Sequence, residues 1–228
     1  FDSPLFSEYA IFTSKAKKLS HHGRYSGGVI VLVRKSFAAF VQQIPMETEN
    51  TVVLKISKEL LCTSKDIMFI STYIPPIDSP FWKSQDEAHG IEMLEQCILD
   101  LNEAYDDFSI LLNGDLNART ASKNLCFCGD ETDFDKTTFP DNHCFTRRSQ
   151  DRQMNNFGEH LIDFCNLFDC IILNGLSRQG FDDDCTYIAS SGASTVDYFI
   201  VSCDLFTSIN CISLAIESLS DSDHLPVV

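Results

Sequence analysis

The sequence predicts an α/β sandwich with mixed sheets inside and helices outside. Three observations carry that expectation. Strand-like runs outnumber helical patterns. Their order is irregular, with no βαβα alternation and no internal repeat, which argues against a doubly wound parallel sheet. The chain also has 228 residues, 44% of them hydrophobic, enough for one large domain with its own core. A charged fraction of 22% is ordinary and excludes a disordered or collagen-like chain.

Residues 25–33 (YSGGVIVLV) form the first predicted strand, entered through Gly27 and Gly28. Residues 51–57 alternate and suit a half-buried strand. Residues 66–74 give a third, stopped by Pro75 and Pro76. A helix is expected from Ser84, where Glu87 completes a capping box. Ile91, Leu94, Ile98 and Leu101 then recur at helical spacing. Residues 108–112 (FSILL) read as a strand buried on both faces. Residues 121–152 form a long polar surface loop that ends in Arg147, Arg148 and Arg152. A second helix starts near Asn156 and carries Phe157, Leu161, Phe164, Cys165 and Phe168 on one face. Strands follow at 170–173, 185–189 and 195–202, and a last apolar stretch at 211–216 leads into SDSDHLPVV.

The charge balance narrows the functional classes. With 17 basic and 33 acidic residues the net charge is −16. Such a chain is a poor generic polyanion binder, because phosphate contacts rely on Lys and Arg. It does not exclude a metal enzyme, in which carboxylates hold the cation that meets the phosphate. None of the ten cysteines forms a CxxC pair, and Cys126, Cys128, His143 and Cys144 fit no standard zinc spacing. The cysteines read instead as mostly small buried groups of a reducing compartment. The longest aliphatic run, Val29 to Val33, is far short of the ~20 residues a membrane helix needs. No secretory signal is visible.

Four segments could carry chemistry. Asn113-Gly114-Asp115-Leu116-Asn117 directly follows the buried strand. Asp115 and Asn117 lie two apart and both offer oxygen, the donor that hard cations prefer. The plainer alternative is an Asn-Gly-Asp turn. Ser220 to Pro226 places Asp223 beside His224, a pairing able to hold a metal or move a proton, or merely a polar loop. Asp197 interrupts an apolar strand, and a buried carboxylate needs a partner such as a histidine N–H or a structural cation. Tyr73 ends a strand, where its hydroxyl could reach a phosphate oxygen or simply pack.

Taken together, GDLN, the strand-borne VDY and the terminal SDHLP resemble the endonuclease/exonuclease/phosphatase superfamily. GGVIVLVRK and NNFGEHLIDFCNLFDCIILNG look like the apurinic-type endonuclease domains of non-LTR (LINE-type) retrotransposons. The resemblance runs from about Tyr25 to the last residue. It implies a four-layer αββα sandwich of two mixed sheets, and Mg²⁺-dependent hydrolysis (Mn²⁺ as an alternative) that nicks one DNA strand. It assigns Asp115 to the attacking water, Asn117 and Tyr73 to the phosphate, His224 to the charge developing there, Asp197 to orienting that histidine, and Asp223 to the metal. Thr186 and Ser222 match polar positions near the DNA.

The family's remaining metal ligands, an Asn and a Glu, are expected upstream of Phe1. Glu8, in the stretch FDSPLFSEYAIF, is not assigned that role. The 228 residues are therefore expected to be one domain truncated at both ends, with weak or no catalysis alone. DNA is the expected partner, gripped by Lys15, Lys17, Lys18 and Arg24 and by Arg147, Arg148 and Arg152, with a reverse transcriptase domain in the same full-length protein. No membrane partner is expected, and the expected nuclear location follows only from the proposed substrate. An abasic-site repair endonuclease is the nearest alternative. A catalytically incomplete remnant, acting as a binding module, is the other.

Overall fold

The computed structural model describes residues 6–18, 25–84, 90–123, 125–126, 144–176, 183–190, 192–209, 211–214, 222–225 and 227. The chain divides into two compact units, Phe1–Asn117 and Ala118–Val228. Among the described residues no helix is long and apolar enough to cross a membrane.

The first unit contains strands β1 (Tyr9–Ser14), β2 (Lys17–Lys18), β3 (Tyr25–Ser26), β4 (Val29–Arg34), β5 (Val41–Ile44), β6 (Thr51–Ile56), β7 (Asp66–Tyr73) and β8 (Phe108–Asp115), with helices α1 (Lys58–Leu61) and α2 (Glu92–Ala104). β1 pairs antiparallel with β4, and β2 with β3. The strand expected over 25–33 is thus two strands. Gly27 and Gly28 divide it, both at positive φ (73° and 93°). Four further strands lie side by side in the order β8-β7-β6-β5. The β5/β6 and β6/β7 pairs are antiparallel, and β7/β8 is parallel.

A parallel pair cannot close through a tight turn and needs a crossover. α2 supplies it, burying Met93, Leu94, Cys97, Ile98 and Leu101 along one stripe. The helix begins at Glu92 rather than near Ser84, which instead ends a 3₁₀ turn over Pro80–Ser84. Gly90 at φ 62° is the physical reason, since a left-handed residue cannot sit inside a right-handed helix. Glu92 and Glu95 in the first turn offset the exposed N–H groups there. Glu87 lies outside the described residues. The core of the unit includes Val52, Val53, Leu54, Ile67, Met68, Ile70 and Leu112. β7 therefore presents apolar residues to a buried face and ends on polar ones.

The second unit contains β9 (Leu125–Cys126), β10 (Cys144–Phe145), β11 (Cys170–Ile172), β12 (Tyr187–Ala189), β13 (Gly192–Ser194) and β14 (Asp197–Ser202), with α3 (Asn156–Leu167) and α4 (Cys203–Phe206). β11 pairs antiparallel with β14, β12 with β13, and β9 with β10. α3 starts where the sequence places it. Asn155 caps it, its side-chain Oδ1 accepting from the Gly158 N–H at 2.8 Å. Its buried face is Phe157, Leu161, Ile162, Phe164 and Cys165. The middle of the long polar loop, with Cys128 and His143, lies outside the described residues. Cys97, Cys165, Cys170 and Cys203 are buried, as small core groups should be. Burial pushes the thiols of Cys97 and Cys203 up to about 12, so they stay protonated.

Candidate active site

In the first unit, parallel pairing sets Tyr73 beside Asp115 and Ser71 beside Asn113. Partners in register point to the same face of a sheet, so the phenol and the carboxylate share one side at the ends of β7 and β8. The pairing continues one residue further, where the Ile74 N–H donates to the Asp115 carbonyl at 2.9 Å. Gly114 makes this register possible. It adopts φ 147°, and a Cβ there would lie 1.8 Å from the Thr72 carbonyl oxygen.

Past the strand the chain turns sharply. The Asn117 N–H donates to Asp115 Oδ1 at 3.0 Å, closing an Asx turn with Asn117 at φ 47°. The Asn117 amide then donates from Nδ2 to the Ile74 carbonyl at 2.9 Å. The plain-turn reading and the site reading of this segment therefore coincide: the turn is what holds Asp115 and Asn117. Burial, and then the charge of Asp115, push the Tyr73 phenol above its usual value. At neutral pH it is a hydrogen-bond donor.

In the second unit, the Asp197 carboxylate faces His224. Nδ1 lies 2.9 Å from Oδ2 and 3.1 Å from Oδ1, so the imidazole donates from Nδ1 and keeps its proton chemistry for Nε2. The Tyr187 ring meets the imidazole edge-on, with centroids 5.0 Å apart. The partner expected for the strand carboxylate is thus the histidine of SDHLP. His224 is held by strand-like pairing: Ile188 N–H donates to the Asp223 carbonyl at 2.8 Å, and Leu225 N–H to the Thr186 carbonyl at 2.7 Å. Ser222 Oγ accepts from the His224 N–H at 3.1 Å and shapes the approach. Neighbours in such a segment alternate sides, so Asp223 is exposed while His224 turns inward.

Asp197 is gripped at both ends of its backbone. Thr186 Oγ1 accepts from its N–H at 3.0 Å, and Asn174 Nδ2 donates to its carbonyl at 3.1 Å. The Asn174 Oδ1 also accepts from Phe199 N–H at 3.0 Å, so this side chain acts as a substitute strand partner. The next residue, Tyr198, is fully buried, its hydroxyl 3.2 Å from the Ala118 carbonyl and 3.1 Å from that of Thr195. Nearby, Asp151 takes four hydrogen bonds, from Arg119 Nε (2.7 Å) and Nη2 (2.6 Å) and from the N–H groups of Gln153 and Thr195. Neither Asn174 nor Asp151 is flagged by the sequence, because hydrogen bonding to a distant backbone leaves no local pattern.

Two expected substrate contacts belong elsewhere. Thr186 has no exposed surface, so it serves Asp197 and not a ligand. Arg147 is 2% exposed. Its guanidinium donates to the Asn174 carbonyl at 3.0 Å and to Thr120 Oγ1 at 3.2 Å, an internal strut rather than a surface grip. Burial pushes that guanidinium below its ordinary value. Arg148 and Arg152 are exposed, as are Lys15 and Lys18, while Arg24 lies outside the described residues.

A family model described as endonuclease-reverse transcriptase matches residues 67–228, which takes in Tyr73, Asp115, Asn117, Asp197 and His224. The chain belongs to this family. By family it is therefore a phosphodiesterase of the nuclease type. Solved structures agree on the fold. The endonuclease domain of TRAS1, a telomere-specific non-LTR retrotransposon, superposes with a TM-score of 0.59 at 19% identity, covering 98% of this chain and 80% of that one. The AP endonuclease of Leishmania major gives 0.62 at 12% identity, covering 97% and 69%. A 3'-5' exonuclease of Neisseria meningitidis gives 0.58 at 15%, covering 100% and 82%. No curated protein sequence matches the chain. The mixed α/β architecture expected from the sequence is the fold these proteins share.

Proposed function

We propose that the chain is a divalent-metal-dependent DNA-nicking endonuclease of a retrotransposon-type protein, working in the nucleus with a reverse transcriptase domain in the same full-length polypeptide. The observation that carries this reading is the Asp197–His224 pair, a carboxylate fixing one imidazole nitrogen so that the other can act. The family match supplies the reaction class.

The donor set fits a hard cation. Asp115, Asn117 and Asp223 offer carboxylate and amide oxygens, the donors such a cation prefers. Mg²⁺ suits such donors and Mn²⁺ is the alternative, with Asp223 the ligand this chain provides. A bound cation would neutralise phosphate charge. The remaining chemistry falls to the protein. Asp115 orients the attacking water and accepts its proton as the new P–O bond forms. Asn117 and the protonated Tyr73 hold the phosphate oxygens. His224 Nε2 offsets the charge that builds as the bond to the leaving oxygen breaks. Asp197 keeps that imidazole in one tautomer.

The test is nicking of supercoiled plasmid by the protein with its natural flanking sequence. We expect Mg²⁺-dependent conversion to the open circle, reduced by about 10²- to 10⁴-fold in Asp115→Ala, the span of a lost acid–base group. Cleavage that survives chelation, or that Asp115→Ala leaves intact, would overturn the reading. Cleavage confined to abasic plasmid would instead select the repair-type activity.

A further inference from the structure

We infer that Thr186 is a positioning residue for the Asp197–His224 pair, holding both partners through one side chain and one carbonyl. This rests on the endonuclease reading for its consequence in catalysis but not for its geometry. Thr186 Oγ1 accepts from two successive backbone N–H groups, Val196 at 3.1 Å and Asp197 at 3.0 Å. Its carbonyl accepts from Leu225 N–H at 2.7 Å, one residue past His224. The side chain that carries the carboxylate and the one that carries the imidazole thus hang from backbone fixed to the same residue. Complete burial keeps water from competing for these bonds. Two N–H groups converge on one oxygen, so losing that oxygen orphans two donors at once, one buried and one part-buried.

The geometry has a chemical meaning. Both carboxylate oxygens of Asp197 lie within 3.1 Å of Nδ1. This holds only while the start of β14 and the 223–225 segment keep their spacing. Free neutral imidazole prefers the Nε2–H tautomer, whereas the proposed role needs Nδ1–H facing Asp197. If the strand start shifts by even a few tenths of an ångström, the hold of Asp197 on the Nδ1–H tautomer weakens. Thr186 therefore acts through the tautomer of His224, not through contact with substrate.

The experiment is ring-nitrogen NMR of the 228-residue chain labelled with ¹⁵N-histidine, at one fixed alkaline pH for every variant. The His224 signal is identified by its loss in His224→Gln. The chain should show mainly the Nδ1–H tautomer, and Asp197→Asn should lose it. Thr186→Val keeps the shape but not the acceptor, and should cut the Nδ1–H population at least about threefold. Thr186→Ser keeps the acceptor and should restore it. In the protein with natural flanking sequence, Thr186→Val should lower kcat about tenfold with KM within about twofold.

An unchanged tautomer in folded Thr186→Val, or a loss in Thr186→Ser as large as in Val, overturns the proposal. If the Val variant does not fold, Thr186→Ala is read in its place by the same criteria. Absence of any nicking by the wild-type protein would sink the endonuclease reading while leaving the NMR result to judge Thr186.

Discussion

The Gly114 position allows no side chain. Its φ of 147° disfavours any L residue, and the Thr72 carbonyl occupies the space of a Cβ. Gly114→Ala should destabilise the protein by about 3 kcal/mol, read by urea denaturation, because the β7/β8 register must give way. At Tyr73 the phenol sits above its usual value, through burial first and the Asp115 charge second. Its donor role should therefore persist across neutral pH. Tyr73→Phe should slow nicking about tenfold without altering the melting temperature by more than about 2 °C. The residues of GDLN, VDY and SDHLP were legible as candidates because each breaks its local pattern. The role of Thr186 was not legible. A threonine flanking a strand looks the same whether its oxygen faces solvent or two backbone donors. Arg147 misleads in the same way, since three clustered arginines read as a basic surface until one of them is seen to be buried.

Helix α3 shows how far an element can be read locally. Its cap, its first-turn Glu159 and its apolar face all lie within one stretch of sequence. Asn155 does more than cap: the same Oδ1 also accepts from Arg119 N–H at 2.9 Å. Asn155→Ala should therefore cost about 2 kcal/mol, the upper end for a cap, in chemical denaturation. Helix α2 was misplaced at its start because a capping-box pattern at Ser84 cannot reveal a left-handed Gly90. β1 and β5 went unread, since neither alternates cleanly between buried and exposed residues. The Asp151–Arg119 junction gives the second unit a pH dependence. Burial alone would raise the Asp151 carboxyl, yet the hydrogen bonds from Arg119, Gln153 and Thr195 hold it below its ordinary value of 3.8. A carboxyl so depressed contributes stability that is fully present above that ordinary value and is lost as pH falls through the folded one. Asp151→Asn should flatten the acid limb of a stability–pH curve and cost about 3 kcal/mol at pH 7, since it leaves Arg119 partly unpaired.

For the whole molecule the net charge of −16 opposes a polyanionic substrate. Of the two basic clusters, Lys15, Lys18, Arg148 and Arg152 are exposed among the described residues. Each neutralised phosphate adds about −0.9 to the slope of log affinity against log salt. With Arg147 internal, six cations of the two clusters remain, so duplex binding measured with non-cleaving Ca²⁺ should show a slope no steeper than about −5, and a slope of about −8 would show that other cations do the gripping. What the sequence determined by itself was the mixed α/β class, most element positions and a set of polar candidate residues. These rest on patterns within a few residues: periodicity, turns, and polar groups interrupting apolar strands. Only the tertiary structure decided that Asp197 pairs with a histidine 27 positions away, that Thr186 and Asn174 hold its backbone, and that Arg147 is internal. Those outcomes depend on which distant donors and acceptors are buried together, and the penalty for leaving a buried polar group unpaired is set by the folded surroundings, not by the neighbours in sequence.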